Sequence, residues 1–436
     1  MMRFSSHLLK GGALFALLLI TPTWAWAAEQ GLDKADTAWI LTTTALVLFM
    51  TLPGLALFYG GLVRSKNILS ILMQCFAIAC LVSVLWLAGG YSLAFEHGGP
   101  LNGVIGSLQK AFFAGVAHNT VKGSLPEGVF AAFQMTFAII TPALVIGGFA
   151  ERIRFAVILP FTALWLLLVY IPVCHWVWGG GWMQAAGVMD FAGGVVVHIT
   201  AGVAALVAAL VLGPRNGFQK TVMFPHNLTM TYAGAAMLWV GWFGFNGGSA
   251  LTADGSAGWA ILATHMGAAA GSLAWMGMEW MRHGKPSVLG IVTGMVAGLG
   301  TVTPASGYIS PFGGFAIGLI AGVVCYLATM MVKQRWKIDD SLDVFPVHGV
   351  GGMIGTLMTA LFAAPLFGGH GLASNAQILP QLATQGVAVG VTALYTAVVT
   401  WLIFKGLAQV MQLRVSRDQE TEGLDLVDHD ERGYNL

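Results

Sequence analysis

His198 and His348 each follow an aspartate by eight positions, in Asp190-Phe-Ala-Gly-Gly-Val-Val-Val-His198 and Asp340-Ser-Leu-Asp-Val-Phe-Pro-Val-His348. Both lie in stretches apolar enough to cross a bilayer. An ionisable side chain at that depth is costly and usually marks a substrate or proton path, and two placed alike suggest one site assembled from two halves. A neutral imidazole carries one donor and one acceptor. A pair can therefore share an N–H···N bond and still offer a donor and an acceptor to a small molecule. Desolvation favours the uncharged rings, so such a lining suits a neutral or deprotonating passenger. Three other readings compete: a histidine satisfied by a backbone carbonyl, a metal ligand and one half of a bis-histidine haem. No third or fourth ligand stands near in sequence, and the propionates of a porphyrin usually want a basic partner.

A second set of residues could hold a cation. Trp178 precedes Gly179-Gly-Gly181, Phe133 and Phe137 lie one helical turn apart, and Phe245 and Ser249 close another apolar stretch. Placed at the ends of their spans, all of them point to one vestibule. A tryptophan face and a hydroxyl near aromatic rings can hold a small cation, with about 0.5–2 kcal/mol from the cation–π part. Each ring alone reads better as an interfacial or packing aromatic.

The elements that position these residues follow from composition. Of 436 residues 57% are hydrophobic and 9% charged, and 58 are glycine, which describes an all-α polytopic membrane protein with closely packed helices. Apolar spans fall at 36–62, 68–95, 125–150, 153–177, 192–213, 227–248, 257–281, 287–304, 308–332, 345–364 and 383–410, which predicts eleven transmembrane helices. The formal net charge of +1 rests on few, loop-confined charges and gives no sign of a nucleic-acid partner. Cys75, Cys80, Cys174 and Cys325 fall in apolar stretches without metal-ligand spacing.

Arg3 and Lys10 before the apolar run Ala13–Ile20, with Ala25-Trp-Ala27 after it, read as a signal peptide over 1–27. Its removal leaves the mature N-terminus outside, as at a bacterial inner membrane with a periplasm. Alternate loops carry Arg64/Lys66, Arg152/Arg154, Arg215/Lys220, Arg282/Lys285 and Lys333/Arg335/Lys337, whereas the others carry only Lys110 and Lys122. With a periplasmic N-terminus, every basic loop then faces the cytoplasm, as does the C-terminal tail. In this orientation Asp190 starts a helix entering from outside and Asp340 one entering from the cytoplasm, each capping its first turn. Eight residues at ~1.5 Å rise put both histidines ~12 Å deep from opposite faces, where they can meet. If these are the fifth and tenth helices, they end two halves of an inverted five-plus-five repeat, with one helix extra.

The segments Gly-Gly-Phe-Ala-Glu151-Arg152-Ile-Arg154-Phe, Val-Trp178-Gly-Gly-Gly, Asp190-Phe-Ala-Gly-Gly-Val-Val-Val-His198, Gly-Trp-Phe-Gly-Phe245-Asn-Gly-Gly-Ser249 and Asp343-Val-Phe-Pro-Val-His348-Gly resemble the Amt branch of the ammonium transporter (Amt/Mep/Rh) family. The resemblance runs from about Asp36 to the C-terminus. It implies an ammonium transporter, not an enzyme, of eleven helices over 28–412, assembled as a homotrimer with one path per protomer and no cofactor. It makes Trp178, Phe137 and Ser249 a recruitment site for ammonium or its analogue methylammonium. Phe137 and Phe245, with Phe133 adjacent, become the gate, and His198 and His348 the pore lining. Asp190, Asp340 and Asp343 become structural support, Asp190 through the loop around Trp178. The expected reaction path recruits ammonium outside, deprotonates it and conducts ammonia past the twin histidines with net proton movement.

The tail, 413–436, turns abruptly polar and reads as a cytoplasmic segment, either regulatory or simply solvated. In the family it packs under the trimer, and in bacteria a PII-type signalling protein docks there. Asp428-His429-Asp430-Glu431-Arg432-Gly433-Tyr434 departs from the usual His-Gly-Glu-x-Ala-Tyr pattern. An ammonium sensor is the alternative function, and an intramembrane metal or haem protein a further one. Sensors usually carry an appended output domain, whereas only a short tail follows the last span here.

Overall fold

The computed structural model describes residues 31–435, so the signal peptide read at 1–27 lies outside the described residues. In chain order the long helices are α1 (Lys34–Leu62), α2 (Ser65–Phe95), α3 (Glu127–Phe149), α4 (Phe155–Ala185, broken at the glycines 179–181), α5 (Gly194–Leu212) and α6 (228–247). They continue with α7 (Gly255–His283), α8 (Val288–Val302), α9 (Pro311–Arg335), α10 (Phe345–Phe362) and α11 (Asn375–Val410). Each coincides with an apolar stretch of the sequence. Among the described residues, 8 of them are long and apolar enough to cross a membrane. The exceptions are α6 and α7, which are long but less apolar, and α8, which is apolar but has 15 residues.

Polar side chains begin several of these helices. Asp33, Asn227, Asp254, Ser287 and Ser310 each accept a hydrogen bond from a backbone N–H of the following first turn, which would otherwise be unpaired. Contact between helices depends on glycine. A Cβ on Gly202 of α5 would stand 2.2 Å from the backbone nitrogen of Gly349 in α10, and one on Gly318 of α9 2.3 Å from the carbonyl of Gly267 in α7. Any larger residue would push these backbones apart. The interior is centred on α3, with 83% of its apolar window buried, whereas α11 buries only 33% and lies at the periphery.

Hydrogen bonds fix the relative direction of the two histidine helices. Arg414, just after α11, donates to the carbonyl of Leu212 at the end of α5, and Arg152 donates to the carbonyl of Asp339 and to Ser341 just before α10. One face of the molecule thus holds the end of α5, the start of α10 and the tail. The opposite face holds Trp178 and the start of α5, so α5 and α10 enter from opposite ends.

The tail is folded, not solvated. Two short helices, α12 (Arg417–Glu422) and α13 (Leu424–His429), lie against the loops of the tail face. Arg414 pairs with Ile153 in an isolated antiparallel bridge. Buried Glu420 takes Arg414 at 2.7 Å and the backbone N–H of Asn216 at 2.6 Å. Asp425 caps Ser70, Asp428 accepts from the N–H of Phe155, and the Tyr434 hydroxyl meets His226. On the opposite face a minimal antiparallel hairpin, β1 (Val121–Lys122) and β2 (Leu125–Pro126), leads into α3.

Candidate functional site

The local fold at Asp190 explains why the first histidine sits where it does. The Asp190 carboxylate accepts four backbone N–H groups, from Gly193, Gly194, Val195 and Val196, at 2.6 to 3.1 Å. These are the unpaired donors of the first turn of α5, and one charge satisfies all of them. Gly193 takes φ 119° to let the chain turn in. The turn that follows is wide, with His198 N–H donating to the Gly193 carbonyl five residues back at 2.9 Å. The Asp190 carbonyl in turn accepts the Trp178 indole at 2.8 Å, so the same residue holds the ring above the histidine.

The second half repeats the spacing with different bonding. His348 also lies in a wide turn, Phe345–Val350. The Asp340 carboxylate, however, accepts the Phe345 backbone N–H at 2.7 Å, and among the described residues its other oxygen is buried without a partner. Burial, with Asp343 nearby, pushes its carboxyl up from 3.8 to about 7. Asp343 takes φ 60° and pairs with Lys333 at 2.6 Å.

Where α5 and α10 cross at Gly202 and Gly349, the two imidazoles meet. Their Nδ1 atoms are 3.1 Å apart and their planes 17° from parallel. One Nδ1 must donate and the other accept, so the pair shares a single proton at this contact. Among the described residues, His198 Nε2 is buried without a protein partner. Trp242 stacks on His198 at 5.7 Å and 15°, its indole anchored to Thr303.

The aromatic residues converge as well. Phe137 and Phe245 stack with centroids 4.2 Å apart, and both are fully buried, so the two rings leave no open channel between them. The edge of Phe137 meets Trp178 at 5.9 Å, and Phe133 meets Phe137 at 5.0 Å. Ser249 stands one turn beyond Phe245 and donates to its carbonyl at 2.8 Å. Below the stacked pair, a narrow apolar cavity runs from Phe245 to both histidines, lined by residues such as Phe58, Leu144, Val197 and Leu238. Beyond His348 a cavity of about 480 Å³ widens toward the tail face, where Tyr59, Glu279, His283, Lys333 and Asp343 line it. Trp178, the phenylalanine pair, the histidine pair and this cavity thus form one series through the molecule.

Two features escaped the sequence reading. Trp242 was indistinguishable from the other aromatics, although it stands three residues before Phe245. On the tail face Glu151 binds Arg64 at 2.9 Å and Arg215 at 2.6 Å, and Arg215 also binds Asp339 at 2.8 Å. Burial opposes ionisation of Glu151, but the Arg215 and Arg64 guanidiniums hold its carboxyl down at about 2. The partners lie far apart in sequence, and the only local signal was an acidic residue inside a basic loop. Among the described residues, no group of three or more His, Cys, Asp or Glu side chains stands close enough to hold a metal ion.

Comparison with known proteins adds an independent line. The chain is 46% identical over 411 residues to a putative ammonium transporter of Methanothermobacter thermautotrophicus, covering 93% of this chain and 99% of that one. It is 45% identical over 408 residues to an ammonium transporter of Bacillus subtilis, covering 92% and 99%. Among solved structures it resembles Mep2 of Saccharomyces cerevisiae, with a TM-score of 0.82 at 36% identity over 89% of this chain and 91% of that one. A structure described as a sensor Amt protein gives 0.83 at 30% identity, over 91% and 98%. The profile of the Ammonium Transporter Family matches residues 38–434. By sequence, by fold and by the full length of the match, the chain belongs to the ammonium transporter family.

Proposed function

We propose that this chain is an ammonium transporter that recruits ammonium at Trp178, Phe137 and Ser249, deprotonates it above the Phe137–Phe245 pair and passes ammonia along His198 and His348. The observation that carries this reading is the histidine pair, buried at 3.1 Å separation behind two stacked rings and in line with an apolar cavity. A bare cation entering that cavity would lose its hydration without replacement, at a cost of many kcal/mol. Ammonia pays far less. The free Nε2 of His198 gives it a donor or an acceptor, depending on the tautomer, as it passes. Potassium cannot shed a proton and meets no carbonyl cage beyond the rings, so it stops at the vestibule. Methylammonium can lose one and should compete.

In this reading α6, α7 and α8 are counted as crossings, giving eleven with an inverted repeat. The Trp178 face is periplasmic and the tail cytoplasmic, at a bacterial inner membrane. The protein works as a homotrimer, and a PII-type regulator docks on the tail face. The wider role of sensor gains support from the likeness to the sensor Amt structure.

The test is ammonium-evoked current with parallel pH tracking in proteoliposomes. Wild type should give a current, reporting net proton movement, and replacing both His198 and His348 by Ala should abolish selective conduction. Unchanged uptake by the double variant would remove the histidines from the mechanism. A silent wild type that still accumulates ammonia would remove the charge movement.

A further inference from the structure

Beside the vestibule, on the same face, lies a cluster that the transport path does not use. The Lys122 ammonium stands over three aromatic rings at once, 5.8 Å from the centroid of Tyr91, 5.4 Å from Phe95 and 5.2 Å from Phe130. It also donates to the Phe95 carbonyl at 3.1 Å. Among the described residues no carboxylate lies within ion-pair distance of it. The nearby acid, Glu127, is taken by the Tyr91 hydroxyl at 2.6 Å and by Lys110 at 2.7 Å, and Lys110 also binds Glu96 at 3.0 Å. The rings support one another, with Phe95 edge-on to Phe130 at 5.0 Å and Tyr91 at 5.8 Å from Phe95. Burial disfavours the charged amine, with Glu127 opposing that effect and Lys110 adding to it.

Several π faces turned on one ammonium group are the chemistry by which proteins recognise ammonium-type cations. Here the occupant is covalently tethered. The walls come from α2 and α3, while the occupant comes from the β1–β2 hairpin. That hairpin segment also reaches α1, since the Asp33 N–H donates to the Ser124 carbonyl, and the Glu127 N–H opening α3 donates to Thr120. Phe130 stands three and seven residues before Phe133 and Phe137 on α3, so all three share one face of that helix.

We propose that Tyr91, Phe95 and Phe130 form a second ammonium box, off the conduction path, whose occupant is the Lys122 side chain, and that this latch positions the outer turns of α3 and with them Phe133 and Phe137. Lys122 is a positioning residue in this scheme. The proposal rests on the reading of Phe137 and Trp178 as the recruitment site. Replacing Lys122 by Ala should empty a box that fits n-propylammonium, whose atoms match those removed.

The experiment has a binding arm and a transport arm on the full-length protein. In the first, n-propylammonium should raise the melting temperature of Lys122→Ala well beyond any rise in wild type, and n-propanol should raise neither. In the second, Lys122→Ala and Lys122→Met should raise the half-saturating ammonium concentration roughly three- to tenfold at an unchanged maximal rate, with Lys122→Arg close to wild type. n-Propylammonium should restore Lys122→Ala. No stabilisation specific to the amine overturns the box. Stabilisation with a wild-type half-saturation overturns the latch. Should Lys122→Ala not fold, Lys122→Met decides, because it keeps the stem and loses the charge, and wild-type behaviour there overturns the proposal. A wild type that does not transport ammonium would sink the underlying reading instead.

Discussion

The two halves of the histidine site share a spacing and little else. Asp190 is saturated by four backbone N–H groups and its carbonyl carries Trp178, whereas Asp340 takes one N–H and leaves an oxygen unpaired. On the Asp190 side His198 lies under sealed rings; on the Asp340 side His348 borders a wide cavity with charged walls. The two halves place their imidazoles alike and surround them with different electrostatics. The first half is tightly capped beneath closed rings, and the second borders an open, partly charged cavity, with the buried Asp340 carboxyl pushed up to about 7.

The sharpest way to break that contrast is to remove the saturated carboxylate. Asp190→Ala leaves up to four buried donors without an acceptor, each worth about 1–3 kcal/mol. Transport should fall by at least about 100-fold, and Trp178 should lose its ordered position. Uptake measured on protein verified to be folded checks this, and near-normal uptake would show the cap to be dispensable. Asp340→Asn should be far milder in rate, within about tenfold, because the amide keeps an oxygen that can accept the Phe345 N–H.

Its effect should instead appear in stability against pH. A carboxyl raised from 3.8 to about 7 binds more protons in the folded than in the unfolded state between those values, so its contribution is lost as pH rises through that window. Asp340→Asn should remove this loss and flatten the melting profile between pH 4 and 7, roughly the interval between those two values. Glu151, held at about 2, acts in the opposite sense and only below its ordinary 4.5, so the two windows barely overlap. A melting profile unchanged by Asp340→Asn would mean that the asymmetry has no energetic content.

The smallest effect belongs to Ser249. Its hydroxyl donates to the Phe245 carbonyl in this structure, so Ser249→Ala removes one hydroxyl at the entrance and should weaken half-saturation by about two- to fivefold without touching the maximal rate. A fall in maximal rate would place Ser249 in the gate.

The asymmetry was only partly legible in the chain. The Asp-x7-His spacing, read from opposite helix starts, placed the two imidazoles at one depth, and the structure brings them together. What spacing could not convey was how many N–H groups each aspartate captures, because that depends on Gly193 at positive φ and on the course of the loop before it. The stretches at α6 and α7 illustrate a second limit. They read as spans, yet many of their residues are Gly and Ala, which serve close helix contact and dilute hydropathy. Trp242 and the Glu151–Arg215–Asp339 network were beyond local pattern, since both are made by pairing distant segments. The polar composition of the tail is compatible with either a regulatory or a solvated segment. Its buried Glu420 and Asp425 accept from the backbone N–H groups of Asn216 and Ser70, hundreds of residues earlier.

The wide turns at Gly194–Ile199 and Phe345–Val350 carry a consequence for how this chain can vary over generations. Each holds one residue more than a regular helical turn would need. Deleting that residue would let the turn tighten and would swing one side of the helix by about 100° relative to the other. His198 and His348 would then part company, although no histidine had been replaced. Point changes around the pair can drift within steric limits, but a single-codon loss there is a change of geometry. Length polymorphism among descendants of this sequence should therefore collect in the loops, for example 96–120, and stay out of these two turns.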